Sequence, residues 1–126
     1  MKKYLSLLLL SVAFLLAACG GKTEQPEPTD PDTPIEVQAG KEFQIVVTTA
    51  GQVSGLHWEV AADLDTNVVD YVWKEFVPKG SNSEGSGWDV WKFKAIAPGQ
   101  TTITLGYYRG MTEDTTKTIV FTIIVK

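Results

Sequence analysis

Residues 91–107 read WKFKAIAPGQTTITLGY, and this stretch decides the fold of the chain. Large apolar side chains alternate with lysines before the Pro98-Gly99 pair and with threonines after it. Alternation with a period of two is typical of a strand that buries one face. A Pro-Gly pair between two such runs indicates a turn. The stretch therefore predicts two β-strands joined by a short connection.

The same alternation recurs on both sides of this stretch. Further apolar runs are found at Phe43–Val47, Leu56–Val60, Val68–Val77 and Ile119–Val125, with a short one at Ile35–Val37. No window of eleven or more residues has a convincing helical period. About seven short strands at this spacing predict an all-β fold built as a β-sandwich.

The composition excludes several classes of function. With a single Cys and a single His, His57, the 126-residue chain forms neither an intramolecular disulfide nor a multi-Cys or HExxH metal site. The net charge of −4 argues against nucleic acid, whose phosphates need clustered Lys and Arg. We therefore expect no nucleic-acid partner, no metal and no cofactor. Because His57 falls on outward-facing positions, we also expect no catalytic residues and no enzymatic activity.

The N-terminus has the organisation of a secretion signal. Lys2 and Lys3 precede an apolar run at 5–16 that is short for a membrane span. The run ends in LAACG at 16–20, and small residues before the sole cysteine resemble the lipobox of bacterial lipoproteins. The resemblance implies a signal peptide over 1–18 and lipidation of Cys19. An ordinary signal peptide with an incidental cysteine, or a short membrane anchor, is the alternative.

A lipid on Cys19 would attach the chain to the cell envelope. Gly20 follows where an Asp would resemble an inner-membrane retention signal, so the outer membrane is favoured, with its periplasmic or surface face left open. Residues 19–34 hold prolines and acidic side chains but no large apolar one. This composition predicts an extended linker of roughly 50 Å in front of a domain at 35–126.

The longer connections between the predicted strands fall at one end of the sandwich. If each strand reverses the direction of the last, the connections at 50–55, 78–88 and 109–117 share that end, and they are rich in Gly, Ser and Thr. Loops on a rigid scaffold concentrate functional residues, so these three predict one binding surface. Connections that merely vary in length are the alternative.

The domain resembles the chagasin family of cysteine protease inhibitors. The resemblance is carried by WKFKA at 91–95, APG at 97–99, TTITL at 101–105 and YYR at 107–109. It implies an immunoglobulin-like β-sandwich that inserts three adjacent loops into the active-site cleft of a papain-like cysteine protease. The function implied is that of a reversible proteinaceous inhibitor, which we expect to be monomeric.

Each loop keeps part of the family signature. The first loop has GQVSG at 51–55 where the family has N-P-T-T-G, so Gly55 is kept and Ser54 keeps a hydroxyl. The second has GSGW at 85–88 in place of G-x-G-G. In the third, of pattern R-P-W, Arg109 is kept. The protease-binding residues implied are Gln52, Val53, Ser54, Gly55, Gly85, Ser86, Gly87, Trp88, Arg109, Gly110 and Met111.

Two of these residues are candidate anchors, because aromatic and Arg side chains supply most of the energy of many interfaces. They are Trp88 and Arg109, for which packing at a strand start and a solvated strand end are the respective alternatives. The incomplete loop signatures leave a second function open. It is that of an immunoglobulin-like surface module that binds glycan or protein without inhibiting a protease. A spacer or assembly subunit of the envelope is a third.

Overall fold

The computed structural model describes residues 25–50, 55–80, 85–110 and 115–126. Within these ranges the chain forms β-strands and no helix, so no helix there is of the length and apolarity that a membrane crossing needs. The strands are β1 (Ile35–Val37), β2 (Glu42–Thr49), β3 (Leu56–Val60), β4 (Val69–Pro78), β5 (Gly87–Ala95), β6 (Gly99–Arg109) and β7 (Thr115–Val125).

The seven strands form two sheets. One has the order β1-β7-β6-β3, in which β1 runs parallel to β7 and the other neighbours are antiparallel. The other has the antiparallel order β2-β5-β4. The predicted all-β sandwich of seven strands is therefore confirmed.

The core lies between the sheets and contains the apolar positions of the 91–107 stretch. Phe93 from β5 and Leu105 from β6 are both fully buried, while Lys94 and Thr102 lie on the outer faces. The Pro98-Gly99 turn does not close a hairpin, because β5 and β6 belong to different sheets. The connection instead carries the chain from one sheet to the other, which places the two alternating runs face to face.

Strand β5 begins four residues earlier than the alternation predicted, and the second connection shortens from 78–88 to 79–86. Trp88 and Val90 occupy the outer face of β5, where they pack with Val46 and Val77 in a second apolar cluster. The inward position between them is Asp89. A polar inward residue and apolar outward residues invert the usual pattern, which is why the sequence indicated a loop here.

Residues 25–34, within the predicted linker, lie against the domain and are called the N-terminal strap below. The N–H of Thr29 donates to the carbonyl oxygen of Val46 (2.9 Å), and its Oγ1 accepts the N–H of Val46 (2.9 Å). Asp30 closes a turn by accepting the Thr33 hydroxyl (2.7 Å) and the Asp32 N–H (3.0 Å). These hydrogen bonds, that from Thr33 above all, lower the pKa of the Asp30 carboxyl.

The strands β4 and β5 approach closely at Gly87. A Cβ on Gly87 would overlap the carbonyl oxygen of Val77 and lie 2.9 Å from the Cα of Pro78. We therefore expect Gly87→Ala to lower the free energy of unfolding by about 1–3 kcal/mol, as overpacking does, in urea denaturation. The matched control is Gly80→Ala, whose Cβ meets no described atom within 4 Å. Equal stability of the two variants would contradict this account.

Candidate functional site

The stems of three connections meet at one end of the sandwich. Thr49 at the end of β2 and Pro78 at the end of β4 both pair with Gly87 at the start of β5. In the other sheet, Leu56 at the start of β3 pairs with Arg109 at the end of β6. The connections β2–β3, β4–β5 and β6–β7 therefore leave the body at the same end, called the loop edge below.

Two buried aromatic rings bind the stem of the first connection to the opposite sheet. Trp58 of β3 and Tyr107 of β6 stack with ring centroids 4.6 Å apart. The indole N–H of Trp58 donates to the carbonyl oxygen of Thr48 (2.8 Å), and the hydroxyl oxygen of Tyr107 accepts the N–H of Ala50 (3.0 Å). The last backbone groups before the first connection are thus held by the core itself.

A cation from β7 covers this aromatic pair. The Nζ of Lys117 lies 5.3 Å from the Trp58 ring centroid and 5.7 Å from the Tyr107 ring centroid. An ammonium group over an aromatic face is attracted by the ring quadrupole, by about 0.5–1 kcal/mol at an exposed site. The strand that follows the third connection therefore also contacts the pair that holds the first.

The first and third connections are joined directly. The N–H of Gly110 donates to the carbonyl oxygen of Gly55 (2.8 Å). Both glycines have left-handed backbones, with φ of 61° at Gly110 and 72° at Gly55, and Gly85 in the second connection has φ of 85°. No described atom lies within 4 Å of a Cβ built on Gly55 or Gly110. The backbone conformation, which costs other residues about 1–2 kcal/mol, therefore favours glycine there, and crowding does not.

The structure brings together part of the predicted protease-binding set. Residues Gly55, Gly85, Ser86, Gly87, Arg109 and Gly110 lie at the stems of the loop edge. Gln52, Val53, Ser54 and Met111, like the predicted lipidation site Cys19, lie outside the described residues.

The two candidate anchors have different surroundings. Arg109 is exposed at the end of β6. Trp88 is 8% exposed and packs with Val46, Val77 and Val90 on the outer face of its sheet. Its burial agrees with the packing alternative, since a covered ring offers little surface to a partner. Its role in binding stays a prediction.

Asp89 is a buried carboxylate at the base of the second connection that the sequence did not single out. It is 6% exposed, and its Oδ2 lies 4.0 Å from the Nζ of Lys74. Burial raises the pKa of the Asp89 carboxyl and outweighs the opposing attraction of Lys74 and His57. Lys74 also lies over the Trp91 ring, 5.0 Å from its centroid. In the sequence, Asp89 looks like an ordinary loop residue, so no signal pointed to it.

His57 lies half-buried on β3 beside Tyr108, with their ring centroids 6.1 Å apart. Its Nε2 is 3.3 Å from an oxygen of the exposed Glu59, a contact of the kind that contributes little to stability. Within the described ranges, no three His, Cys, Asp or Glu side chains cluster in a way that could hold a metal ion.

The hydroxyl of Tyr107 can be tested by its removal. Tyr107→Phe keeps the stacked ring but leaves the N–H of Ala50 without its acceptor, so we expect a loss of about 1–2 kcal/mol in the free energy of unfolding. Urea denaturation measures it. The neighbouring Tyr108→Phe, on the other face of β6, is the control and should change stability by less than about 0.5 kcal/mol. If the control costs as much, the hydrogen bond does not hold the stem.

The buried carboxylate predicts a pH dependence. The pKa of Asp89 is higher in the folded than in the unfolded state, so the protonated carboxyl favours the folded state. This contribution to the free energy of unfolding is complete below the unfolded-state pKa and is lost as pH rises through the folded-state pKa. Asp89→Asn carries no charge at any pH. We therefore expect this variant to gain stability relative to the wild type as pH rises through the acid range, measured by urea denaturation across pH.

Lys74→Met removes the cation and keeps the carboxyl, whereas Asp89→Asn removes the charge of the carboxyl. Without the ammonium group the Asp89 carboxylate loses the cation of its ion pair. The free energy of unfolding of Lys74→Met should therefore fall more steeply with rising pH than that of the wild type. A difference between Asp89→Asn and the wild type that does not vary with pH would rule out the buried charge as its cause.

One known protein family and several solved structures are similar to this chain. The family model described as "Chagasin family peptidase inhibitor I42" matches residues 36–125. The cysteine protease inhibitor EhICP2 from Entamoeba histolytica has a similar structure, with a TM-score of 0.60 at 15% identity over 74% of this chain and 85% of that one. No curated protein matches the sequence significantly.

Two further solved structures have the same fold. The Leishmania mexicana ICP aligns with a TM-score of 0.53 at 20% identity, over 78% of this chain and 91% of that one. The solution structure of amebosin aligns with a TM-score of 0.53 at 22% identity, over 76% and 90%. At these identities the likeness shows the immunoglobulin-like sandwich, in agreement with the strand order described above.

The matched region runs from β1 to β7 and covers well over half of the chain. The family is one of inhibitors and not of enzymes. The chain therefore belongs to the chagasin family of peptidase inhibitors.

Proposed function

We propose that this protein is a reversible inhibitor of papain-like cysteine proteases and that it acts by inserting the loop edge into the active-site cleft. Family membership supports inhibition of a cysteine protease. The observation that supports insertion is the convergence of three stems at one end, with Gly110 hydrogen-bonded to Gly55 and with Thr49 paired to Gly87. A cleft made for an extended substrate chain accepts such an edge.

The stems reduce the entropic cost of this binding. A loop that must be ordered on binding loses conformational freedom, whereas one held at both stems has already lost part of it. The first connection is held by Thr48 and Ala50 on one side and by Gly55 on the other. Glycine at such positions also lets the backbone of the inhibitor come close to the walls of the cleft.

The individual contacts with the protease are inferred from the resemblance of the loops to those of the chagasin family. Ser54, in the first connection, would hydrogen-bond within the cleft, flanked by Gln52 and Val53. In the third connection, the exposed Arg109 would contact the wall of the cleft, with Met111 as an adaptable apolar contact. In this proposal one monomer binds one protease, and no covalent step occurs.

We further propose that Cys19 is lipidated and attaches the inhibitor to the cell envelope, with the outer membrane favoured. Only five residues, 20–24, separate Cys19 from Gln25, and the six Cα–Cα steps between the two span at most about 20 Å. The side-chain nitrogen of Gln25 lies 3.5 Å from the carbonyl oxygen of Lys79, at the stem of the second connection. A lipid-anchored chain would thus present its loop edge close to the membrane.

The function is tested by titrating the purified full chain, in detergent, against a panel of papain-like proteases. We expect reversible inhibition with one inhibitor per protease. A protease whose active site is blocked covalently should no longer bind. An absence of inhibition at micromolar protein across the panel would contradict the proposal. Binding that persists after the active site is blocked would instead support the surface-module function.

A further inference from the structure

The outer face of the β2-β5-β4 sheet has an apolar cluster that is shielded from solvent. Val46, Trp88 and Val90 are 4–8% exposed, although they point away from the core between the sheets. An outer face of a sandwich normally meets water and is polar. These three side chains are therefore shielded by other parts of the chain, and the N-terminal strap is a described segment that reaches this face.

Two contacts define the path of the strap. Thr29 is hydrogen-bonded to Val46 on β2, through both its N–H and its Oγ1. Gln25 donates to the carbonyl oxygen of Lys79, just beyond the end of β4. Because β5 lies between β2 and β4, the chain from residue 29 to residue 25 crosses β5.

The crossing point follows from the strand register. Val46 pairs with Val90, and Val77 pairs with Trp88, so the line from Val46 to the end of β4 passes over residues 88–90. In agreement with this path, residues 25–27 line the same shallow cavity as Val77 and Val90. The strap therefore runs over the outer cluster.

The strap is suited to a fixed position. Pro26 and Pro28 restrict its backbone, which lowers the conformational entropy that it loses on docking. The turn at Asp30, closed by Thr33 and by the N–H of Asp32, lies in the second half of the strap, between residue 29 and β1. The family model begins only at residue 36, so this covering segment lies outside the matched region.

We propose that residues 25–29 of the strap are a positioning element for the second connection. By keeping Trp88 covered they hold the first residues of β5 in place, and Gly87, next to Trp88, is the stem that pairs with both Thr49 and Pro78. The part of this inference that concerns protease binding rests on the proposed function. The part that concerns the structure of the loop edge does not.

Hydrogen–deuterium exchange of the full chain, followed by mass spectrometry, tests the proposal. Thr29→Val keeps the shape of the side chain and the backbone N–H but removes the acceptor for the N–H of Val46. We expect about fivefold to tenfold faster exchange over residues 85–90, with exchange over 119–125 in the other sheet unchanged. Thr102→Val, at an exposed position on β6, is the matched control.

A second variant changes the stiffness of the strap without touching its hydrogen bonds. Replacement of both Pro26 and Pro28 by Gly should also accelerate exchange over 85–90, because a flexible strap loses more entropy when it docks. Exchange over 85–90 that stays as slow as in Thr102→Val would overturn the proposal. Uniform acceleration in all strands would also overturn it, since it would mean that the strap contributes only global stability.

Inhibition assays with the same variants separate this proposal from the proposed function. If the wild type inhibits a papain-like protease, Thr29→Val should bind about fivefold more weakly through faster dissociation. If the wild type inhibits none, the proposed function fails, and the exchange data alone still decide whether the strap positions the second connection. Inhibition unchanged despite faster exchange over 85–90 would refute the binding part of the inference.

Discussion

The stacked pair of Trp58 and Tyr107 is the contact on which the loop edge depends most. Both rings are buried, and each carries a polar atom that needs a hydrogen-bond partner. The backbone at the end of β2 and just after it supplies both partners, at Thr48 and Ala50. The same two side chains therefore fill the core between the sheets and hold the stem of the first connection, so the packing of the core and the position of the stem are coupled.

The second connection is held in another way. Its stem residue Gly87 lies so close to Val77 that no side chain fits there, and the neighbouring Trp88 is buried on the outer face of the sheet, where it packs with Val46, Val77 and Val90. Inside the sandwich the same strand carries Asp89, whose burial opposes its ionisation. The loop edge thus combines a stem held by side chains of the core with a stem whose neighbouring side chain packs on the outer face of its sheet.

Much of the fold was predictable because a strand with one buried face leaves a period of two in the sequence. The alternation of 91–107 predicted β5 and β6, and the reversal of successive strands predicted which connections share an end. The start of β5 was not predictable, because Asp89 faces inward while Trp88 and Val90 face outward. The role of Gly87 was equally hidden, since a close approach of two backbones has no sequence pattern.

By itself, then, the sequence determined the all-β class, the division of the connections between two ends and the resemblance to a family of inhibitors, because apolar periodicity and local motifs are properties of neighbouring residues. Only the tertiary structure decided that the strap lies on the sheet, that Trp88 is covered and that Lys117 reaches the Trp58–Tyr107 pair. These contacts join residues that are distant along the chain. They use backbone groups, hydroxyls and cations, whose partners no local pattern specifies.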